Sequence, residues 1–178
     1  AEPTDEESNG RDFAWYQGLK ISLFDVTDVE NPKEQAKIVI GERGTDSNAL
    51  QEHKAFLFNK EKGILVLPVR LAKVNEQDYI KQYGKVPSWA YGEIVWEGAY
   101  VFDINEEEIK VRGRVTHQNI ESNKYYTWGY EVQRSLYMDD VLYTISQAKI
   151  KANDLETIND LNELKLPFKE DYYGGVLY

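Results

Sequence analysis

The stretch from His53 to Val69, HKAFLFNKEKGILVLPV, constrains the fold of this chain more than any other. Two nearly continuous apolar runs, 55–58 and 64–69, flank a charged segment that ends in Gly63. Two short apolar runs joined by such a turn are typical of a β-hairpin, with the glycine at a positive φ. Because neither run alternates with polar residues, we expect both faces of each strand to be covered. An isolated hairpin is marginal in water, so other sheets must pack on this one.

The composition favours β structure in one domain. A chain of 178 residues can build a real core, and 42% of its residues are hydrophobic. It contains 13 tyrosines and 4 tryptophans, residue types that suit pleated, half-buried surfaces. We expect an acidic solvated tail over residues 1–12, the β domain over 13–170 and a C-terminal tail over 171–178.

Charge and cysteine content argue against several classes of function. The formal net charge of -10 disfavours nucleic acids and anionic membranes, whose recognition depends on lysine and arginine. No apolar run approaches the roughly 20 residues that span a bilayer. The chain has no cysteine, which excludes disulfides, thiolate metal sites and a cysteine nucleophile.

A repeat emerges when the strand patterns are compared. In three segments an apolar strand ends near an aspartate and is followed by a charged turn. These segments are Leu23-Phe24-Asp25-Val26, Val101-Phe102-Asp103-Ile104 and Ala152-Asn153-Asp154-Leu155. Apolar hairpins precede the second and third copies. Repetition of one four-stranded antiparallel unit indicates the blades of a β-propeller. We therefore predict an all-β fold, a partial ring of about two and a half blades in which the three aspartates occupy equivalent places.

Three segments carry a resemblance to a known family: GLKISLFDVTDVENPKE, HKAFLFNKEKGILVLPV and RSLYMDDVLYTISQAKIKANDLETIND. They resemble secreted archaeal and bacterial proteins with a C-terminal β-propeller domain, over residues 15–166. The resemblance implies a secreted or cell-surface propeller and carries over no catalytic residue. Members of that family are much longer, so the chain looks like the C-terminal part of a larger ring. We expect it to associate with the remainder of a longer protein or with copies of itself.

The acidic residues offer a candidate metal site. Asp25, Asp28 and Glu30 supply oxygen ligands at a spacing that suits calcium, although the glycine of a complete calcium loop is missing. The same side chains can instead cap a turn by accepting backbone hydrogen bonds. The two histidines, His53 and His117, have no metal-ligand spacing, and we expect His53 to have a structural role at the start of an inner strand.

Aromatic residues offer a candidate binding surface. They concentrate in two irregular stretches and include Tyr79, Tyr83, Trp89, Tyr91, Tyr126 and Trp128. Exposed rings bind sugars or protein segments, but the same rings could cover the seams between blades. The sequence thus favours an interaction or scaffold module with a carbohydrate or protein ligand. The alternative is a glycosidase-like hydrolase that uses acidic residues on a propeller face.

Overall fold

A computed structural model describes residues 15–119 and 128–168 of the chain. The elements in order are β1 (Leu19–Asp25), β2 (Lys33–Ile40), β3 (Leu57–Asn59), β4 (Ile64–Lys73), α1 (Glu76–Tyr83), β5 (Glu93–Ile104), β6 (Ile109–Val115), β7 (Arg134–Met138), β8 (Val141–Ile145), β9 (Lys149–Asp154) and β10 (Asp160–Lys165). Two turns of 3-10 helix, Asn48–Leu50 and His53–Ala55, precede β3.

The strands form three antiparallel sheets. Sheet 1 is the pair β1-β2, sheet 2 has the order β3-β4-β5-β6, and sheet 3 has the order β10-β9-β8-β7. In each four-stranded sheet, strands that are neighbours in the sheet are also consecutive in the chain. The described residues therefore contain two complete units and the two-stranded remainder of a third, as the predicted partial ring requires.

Sheet 2 lies between the other two, and β4 is its most buried strand. Leu65, Leu67 and Val69 pack towards sheet 1. Ile64 and Val66 on the alternate face pack towards sheet 3. A strand covered on both faces needs apolar side chains in both directions, which explains the unbroken run in the sequence. The predicted hairpin and its buried second strand are confirmed.

The first strand of that hairpin differs from the prediction. β3 spans only Leu57–Asn59, and the Phe56 and Phe58 side chains are about half exposed. The strand forms the edge of sheet 2, so the expectation that both its faces are covered was wrong. His53 lies in the 3-10 turn before the strand, with an exposed ring 3.7 Å from the Glu52 carboxylate. Its predicted place at the start of a strand was also wrong.

The three aspartates of the repeat occupy equivalent positions. In each sheet the strand that carries the aspartate pairs with the following strand through a bulge, one or two residues before the aspartate. The following strand has one unpaired residue at each bulge: Gln35, Arg112 and Leu161. A bulge bends and twists the pair locally, so a bulge shared by all three pairs shows one repeated structural unit.

Candidate functional site: an aromatic surface at one end of the sheets

The connection between β4 and β5 carries helix α1 at one end of sheet 2. Glu76 and Asp78 lie in its first turn, where negative charge is favourable, and Gly84 ends it in the left-handed conformation at φ 76°. The Gly84 amide donates to the Ile80 carbonyl over 2.8 Å. No residue of the helix is buried. The helix therefore depends on contacts outside the main core.

Three aromatic rings provide those contacts. Tyr79 and Tyr83, one helical turn apart, are stacked with centroids 6.2 Å apart. The Trp89 ring meets both edge-on, at 5.9 Å from Tyr79 and 5.3 Å from Tyr83. Such arrangements are each worth about 0.5–1.5 kcal/mol beyond area burial. The rings thus hold the helix against the segment before β5.

Tyr91 extends this group towards sheet 1. Its backbone amide donates to the Tyr79 hydroxyl over 3.0 Å. A hydrogen bond with the Tyr16 hydroxyl raises the pKa of Tyr91. The Arg43 guanidinium lies 3.9 Å from the centre of the Trp15 ring and 5.6 Å from that of Tyr91.

Arg43 also ties the two connections together. Its Nη1 donates to the Trp89 carbonyl over 2.8 Å, and its own carbonyl accepts from the Gly92 amide over 2.8 Å. The segment after β2 is therefore bonded to the segment before β5. These two bonds hold the backbone of residues 89–92, which carries Trp89 and Tyr91, against Arg43.

We define the aromatic surface by the exposed apolar side chains of this region. They are between 38% and 53% exposed: Tyr16, Ile80, Tyr83, Val86, Trp89 and Tyr91. A groove of about 260 Å³ lies beside them, with Glu42 and Glu76 among its polar lining and Val74, Val86 and Pro87 among its apolar lining. The structure thus combines exposed rings, aliphatic side chains and carboxylates at one end of sheet 2.

The conformation of Gly44 supports the aromatic surface, and this leads to a testable prediction. Gly44 has a φ of 105°, and a Cβ there would lie 2.8 Å from the Tyr91 ring. We expect Gly44→Ala to cost about 1–3 kcal/mol, from backbone strain and from displacement of that ring. Gly84→Ala is the matched control, since Gly84 also has a positive φ but nothing within 4 Å of the added Cβ.

Near-ultraviolet circular dichroism together with urea unfolding checks this prediction. Gly44→Ala should change the aromatic signal, whereas Gly84→Ala should lower stability and leave that signal unchanged. Equal aromatic spectra for the two variants would show that Gly44 does not position Tyr91.

A second group of polar side chains is buried between sheets 2 and 3. Glu97 on β5 is 4% exposed, accepts from Gln118 Nε2 over 2.8 Å and lies 3.4 Å from Arg70 Nε. Burial raises the pKa of Glu97 to about 7, an effect to which Glu131 adds and which Arg70 opposes. The cavity beside it measures only about 10 Å³. That volume holds at most one water molecule.

His117 is buried nearby and joins the sheets. Its Nδ1 lies 2.9 Å from Ser146 Oγ, and its Nε2 lies 2.8 Å from Thr144 Oγ1. Burial, with Lys149 and Lys151 adding to it, lowers the pKa of His117 to about 3. The ring is therefore neutral, and one nitrogen donates while the other accepts. This role was not predictable from the sequence, because nothing near His117 in the chain indicates partners about 30 residues away.

Comparison with known proteins places these sheets in a family. A family model described as "Beta propeller domain" matches residues 2–158. The chain belongs to the β-propeller domain family. It is also 25% identical over 148 residues to an uncharacterised protein of Archaeoglobus fulgidus, a match that covers 83% of the chain and 17% of that relative. The chain thus spans only a small part of the length of that protein. No solved structure matches the chain.

Because the chain belongs to this family, we assign the three sheets to propeller blades. Among the described residues, sheets 2 and 3 are complete four-stranded blades, and sheet 1 corresponds to the last two strands of the same unit. The described residues include no helix of the length and apolar character needed to cross a membrane.

The structure brings together four of the six aromatic residues that the sequence singled out. Tyr79, Tyr83, Trp89 and Tyr91 form one group, while Trp128 packs on Phe168 with ring centres 5.1 Å apart. Tyr126 lies outside the described residues. Tyr16 and Arg43 were missed, since the strand pairing that brings them to Tyr91 is not visible in their local sequence.

The predicted calcium ligands lie at the turn between β1 and β2, at the opposite end of β1 from Tyr16. Asp25 accepts hydrogen bonds from the Thr27 amide and hydroxyl, at 2.8 and 2.6 Å. Asp28 accepts from the Glu30 amide and from Asn31 Nδ2. The described residues contain no group of three or more histidine, aspartate or glutamate side chains placed for a metal ion. Calcium binding stays a prediction.

The hydrolase interpretation needs an accessible carboxyl with a raised pKa beside a second carboxylate. Glu97 has the raised pKa but is enclosed. Asp25 and Glu106 line an open groove of about 440 Å³, but hydrogen bonds from Thr27 lower the pKa of Asp25. Neither place combines the two requirements.

Proposed function

We propose that this propeller domain is an extracellular or cell-surface interaction module that binds a protein partner through the aromatic surface. The observation that carries the proposal is the fixed, half-exposed group of Tyr83, Trp89 and Tyr91 beside Ile80 and Val86. Large exposed apolar patches mark interaction sites, and tyrosine and tryptophan are enriched among residues that dominate binding energy.

The details of the surface favour a protein over a carbohydrate. A sugar ring needs an open aromatic face, whereas Tyr79, Tyr83 and Trp89 cover parts of each other's faces and edges. Aromatic residues are enriched at the cores of protein interfaces, and the exposed Ile80 and Val86 add to the apolar area of this surface. Glu76 in the adjoining groove and the net charge of -10 favour a basic partner segment. A location outside the cell is supported by the resemblance of the strand motifs to secreted proteins.

Panning a library of random peptides on the intact chain tests the proposal. We expect enriched peptides to be basic and to lose affinity by about tenfold or more with Trp89→Ala, because Trp89 supplies a central exposed ring. Phe58→Ala is the matched control, since Phe58 is an aromatic residue of similar exposure on β3. It should leave binding unchanged.

A glycan array, probed in parallel with the same variants, separates the two ligand classes. Sugars that bind the unaltered chain and are lost with Trp89→Ala would reassign the surface to carbohydrate. Peptide binding that is equal in Trp89→Ala and the unaltered chain would refute the proposal. Cell fractionation with antibody detection tests the extracellular location, and a purely cytosolic signal would contradict it.

A further inference from the structure

The groove beside the aromatic surface lies between the start of α1 and the segment before β5. Its volume of about 260 Å³ is below the range of pockets that enclose a drug-sized ligand. The groove is continuous with the aromatic surface, because the exposed Val86 belongs to both. A space of this size and position suits one long side chain of a molecule that covers the rings.

The apolar walls of the groove come from both sides. Val74, which follows β4, is half-buried, and Pro87 on the other side is buried. The groove is open to solvent where Glu76 and Val86 are exposed. Lysine and arginine have long apolar stems that lie along such a surface while their charged groups stay near water. The walls therefore fit the stem of a basic side chain.

The polar lining consists mainly of hydrogen-bond acceptors. Gln17 donates through Nε2 to the Ser88 carbonyl over 2.9 Å, which leaves its amide oxygen as an acceptor. Glu42 accepts from the Val74 amide and lies 3.9 Å from Lys73 Nζ, so its carboxylate is already engaged. Of the described residues that line the groove, none is a lysine or an arginine. The lining thus favours a ligand that donates hydrogen bonds.

Glu76 supplies the carboxylate that remains available. It lies in the first turn of α1 with an exposed side chain, and no described residue forms a hydrogen bond or ion pair with that side chain. Asp78, in the same turn, instead accepts from Asn75 Nδ2 over 2.7 Å and does not line the groove. Of the two acidic residues in this turn, Glu76 is therefore the one placed to pair with a cation in the groove.

We propose that the groove binds one lysine or arginine side chain of the protein partner, with its stem along Val74, Val86 and Pro87 and its charged group on Glu76. This inference rests on the proposed function, since it assigns the residue that the same partner inserts beside the rings. Charge-assisted hydrogen bonds to a carboxylate are roughly twice as strong as neutral ones. The groove therefore selects among partners, while the rings supply apolar contact area.

Peptides enriched by panning on the intact chain test this inference in a double-mutant cycle. Each lysine or arginine of an enriched peptide is replaced in turn by norleucine, which keeps an aliphatic stem and removes the charge. Isothermal titration calorimetry then measures the affinity of each peptide for the unaltered chain, Glu76→Gln and Asp78→Asn. Asp78→Asn is the matched control, because it removes the same charge from the same helical turn outside the groove.

We expect norleucine at one position of the peptide to lower its affinity for the unaltered chain by about tenfold, the effect of losing a charged hydrogen bond. Glu76→Gln should weaken binding of the original peptide by a similar factor. It should leave binding of the norleucine peptide unchanged, because that peptide has already lost the group that pairs with Glu76. Asp78→Asn should change the affinity of the original peptide by less than about twofold, since exposed charges outside the contact are screened.

Three results would overturn this inference and leave the proposed function intact. Enriched peptides that depend on Trp89 could lack lysine and arginine, or Glu76→Gln could weaken the norleucine peptide as much as the original. Equal losses for Glu76→Gln and Asp78→Asn would show a general effect of charge and no specific pairing. A library without any peptide that depends on Trp89 would refute the proposed function itself, and this inference with it.

Discussion

Replacing Phe102 with alanine is expected to destabilise the domain by about 3–5 kcal/mol, the usual range for a buried phenylalanine. Phe102 has no exposed surface and lies on β5 in the core between sheets 1 and 2. Its ring stacks with that of Tyr100 at 5.9 Å between centroids. Removing the ring leaves a cavity between sheets 1 and 2. The surrounding side chains can fill this cavity only by leaving their close-packed positions.

Urea unfolding followed by tryptophan fluorescence measures this loss. Phe58→Ala is the control, because Phe58 is the same residue type and is 47% exposed at the edge of sheet 2. It should cost less than about 1 kcal/mol, as an exposed substitution. Leu65→Ala should cost about 2–5 kcal/mol, since Leu65 is 2% exposed in the same core. Similar costs for Phe102→Ala and Phe58→Ala would contradict the packing described above.

The free energy of unfolding is expected to depend on pH through Glu97 and His117, and the two residues change it in opposite directions. The folded-state pKa of Glu97 is raised from 4.5 to about 7, so the folded form holds its proton more tightly than the unfolded chain does. Its contribution is fully present below pH 4.5 and is lost as the pH rises through 7, with a total of about 3 kcal/mol.

His117 acts in the opposite sense. Its folded-state pKa is lowered from 6.5 to about 3, so the folded form resists protonation. Its contribution is present above pH 6.5 and is lost as the pH falls towards 3, by about 3 kcal/mol between pH 6.5 and 4. Between pH 4.5 and 6.5 the contributions of the two residues to stability change in opposite directions and nearly cancel. The stability of the unaltered chain therefore shows neither contribution in this range.

Single variants separate the two contributions. We subtract the urea-derived stability profile of the unaltered chain from that of each variant between pH 4 and pH 8. The difference for Glu97→Gln should rise by about 3 kcal/mol from pH 4.5 to 7. The difference for His117→Gln should rise by a similar amount as the pH falls from 6.5 to 4. Flat difference profiles would mean that neither group is desolvated as its position indicates.

Asp28→Asn provides a control, because the pKa of Asp28 is shifted in the opposite direction to that of Glu97. Hydrogen bonds from Asn31 and Glu30 lower the pKa of Asp28, so its contribution is present at neutral pH and is lost in acid. The difference profile for this exposed site should therefore fall with rising pH only below 3.8, the unshifted pKa of Asp28, and should be nearly flat between pH 4 and pH 8, where the profile for Glu97→Gln rises.

Local sequence was sufficient to predict the repeat. The turn after each strand is formed by neighbours in the chain: Asp25 and Asp154 accept hydrogen bonds from amides two or three residues later, and Asn105 does so in the turn after Asp103. The hairpin of β7 and β8 was predictable for the same reason. The C-terminal end of α1 is also a local feature, since Gly84 supplies a conformation that other residues rarely adopt. These features depend on interactions within a few residues.

The candidate site was only partly predictable. The sequence singled out Tyr79, Tyr83, Trp89 and Tyr91 because they crowd one irregular stretch. It did not indicate Arg43 and Tyr16, which reach Tyr91 only after β1 pairs with β2 and sheet 1 packs on sheet 2. Composition marks where aromatic residues are plentiful, but it does not specify which distant side chains complete the group.

The sequence by itself determined the β-rich repeat, the buried second strand of the central hairpin and the incomplete number of blades. Only the tertiary structure decided that β3 is an exposed edge and that His117 joins two sheets. The physical reason is the range of the interactions. Strand and turn preferences act between neighbouring residues, whereas burial and desolvation depend on which sheets meet across the core.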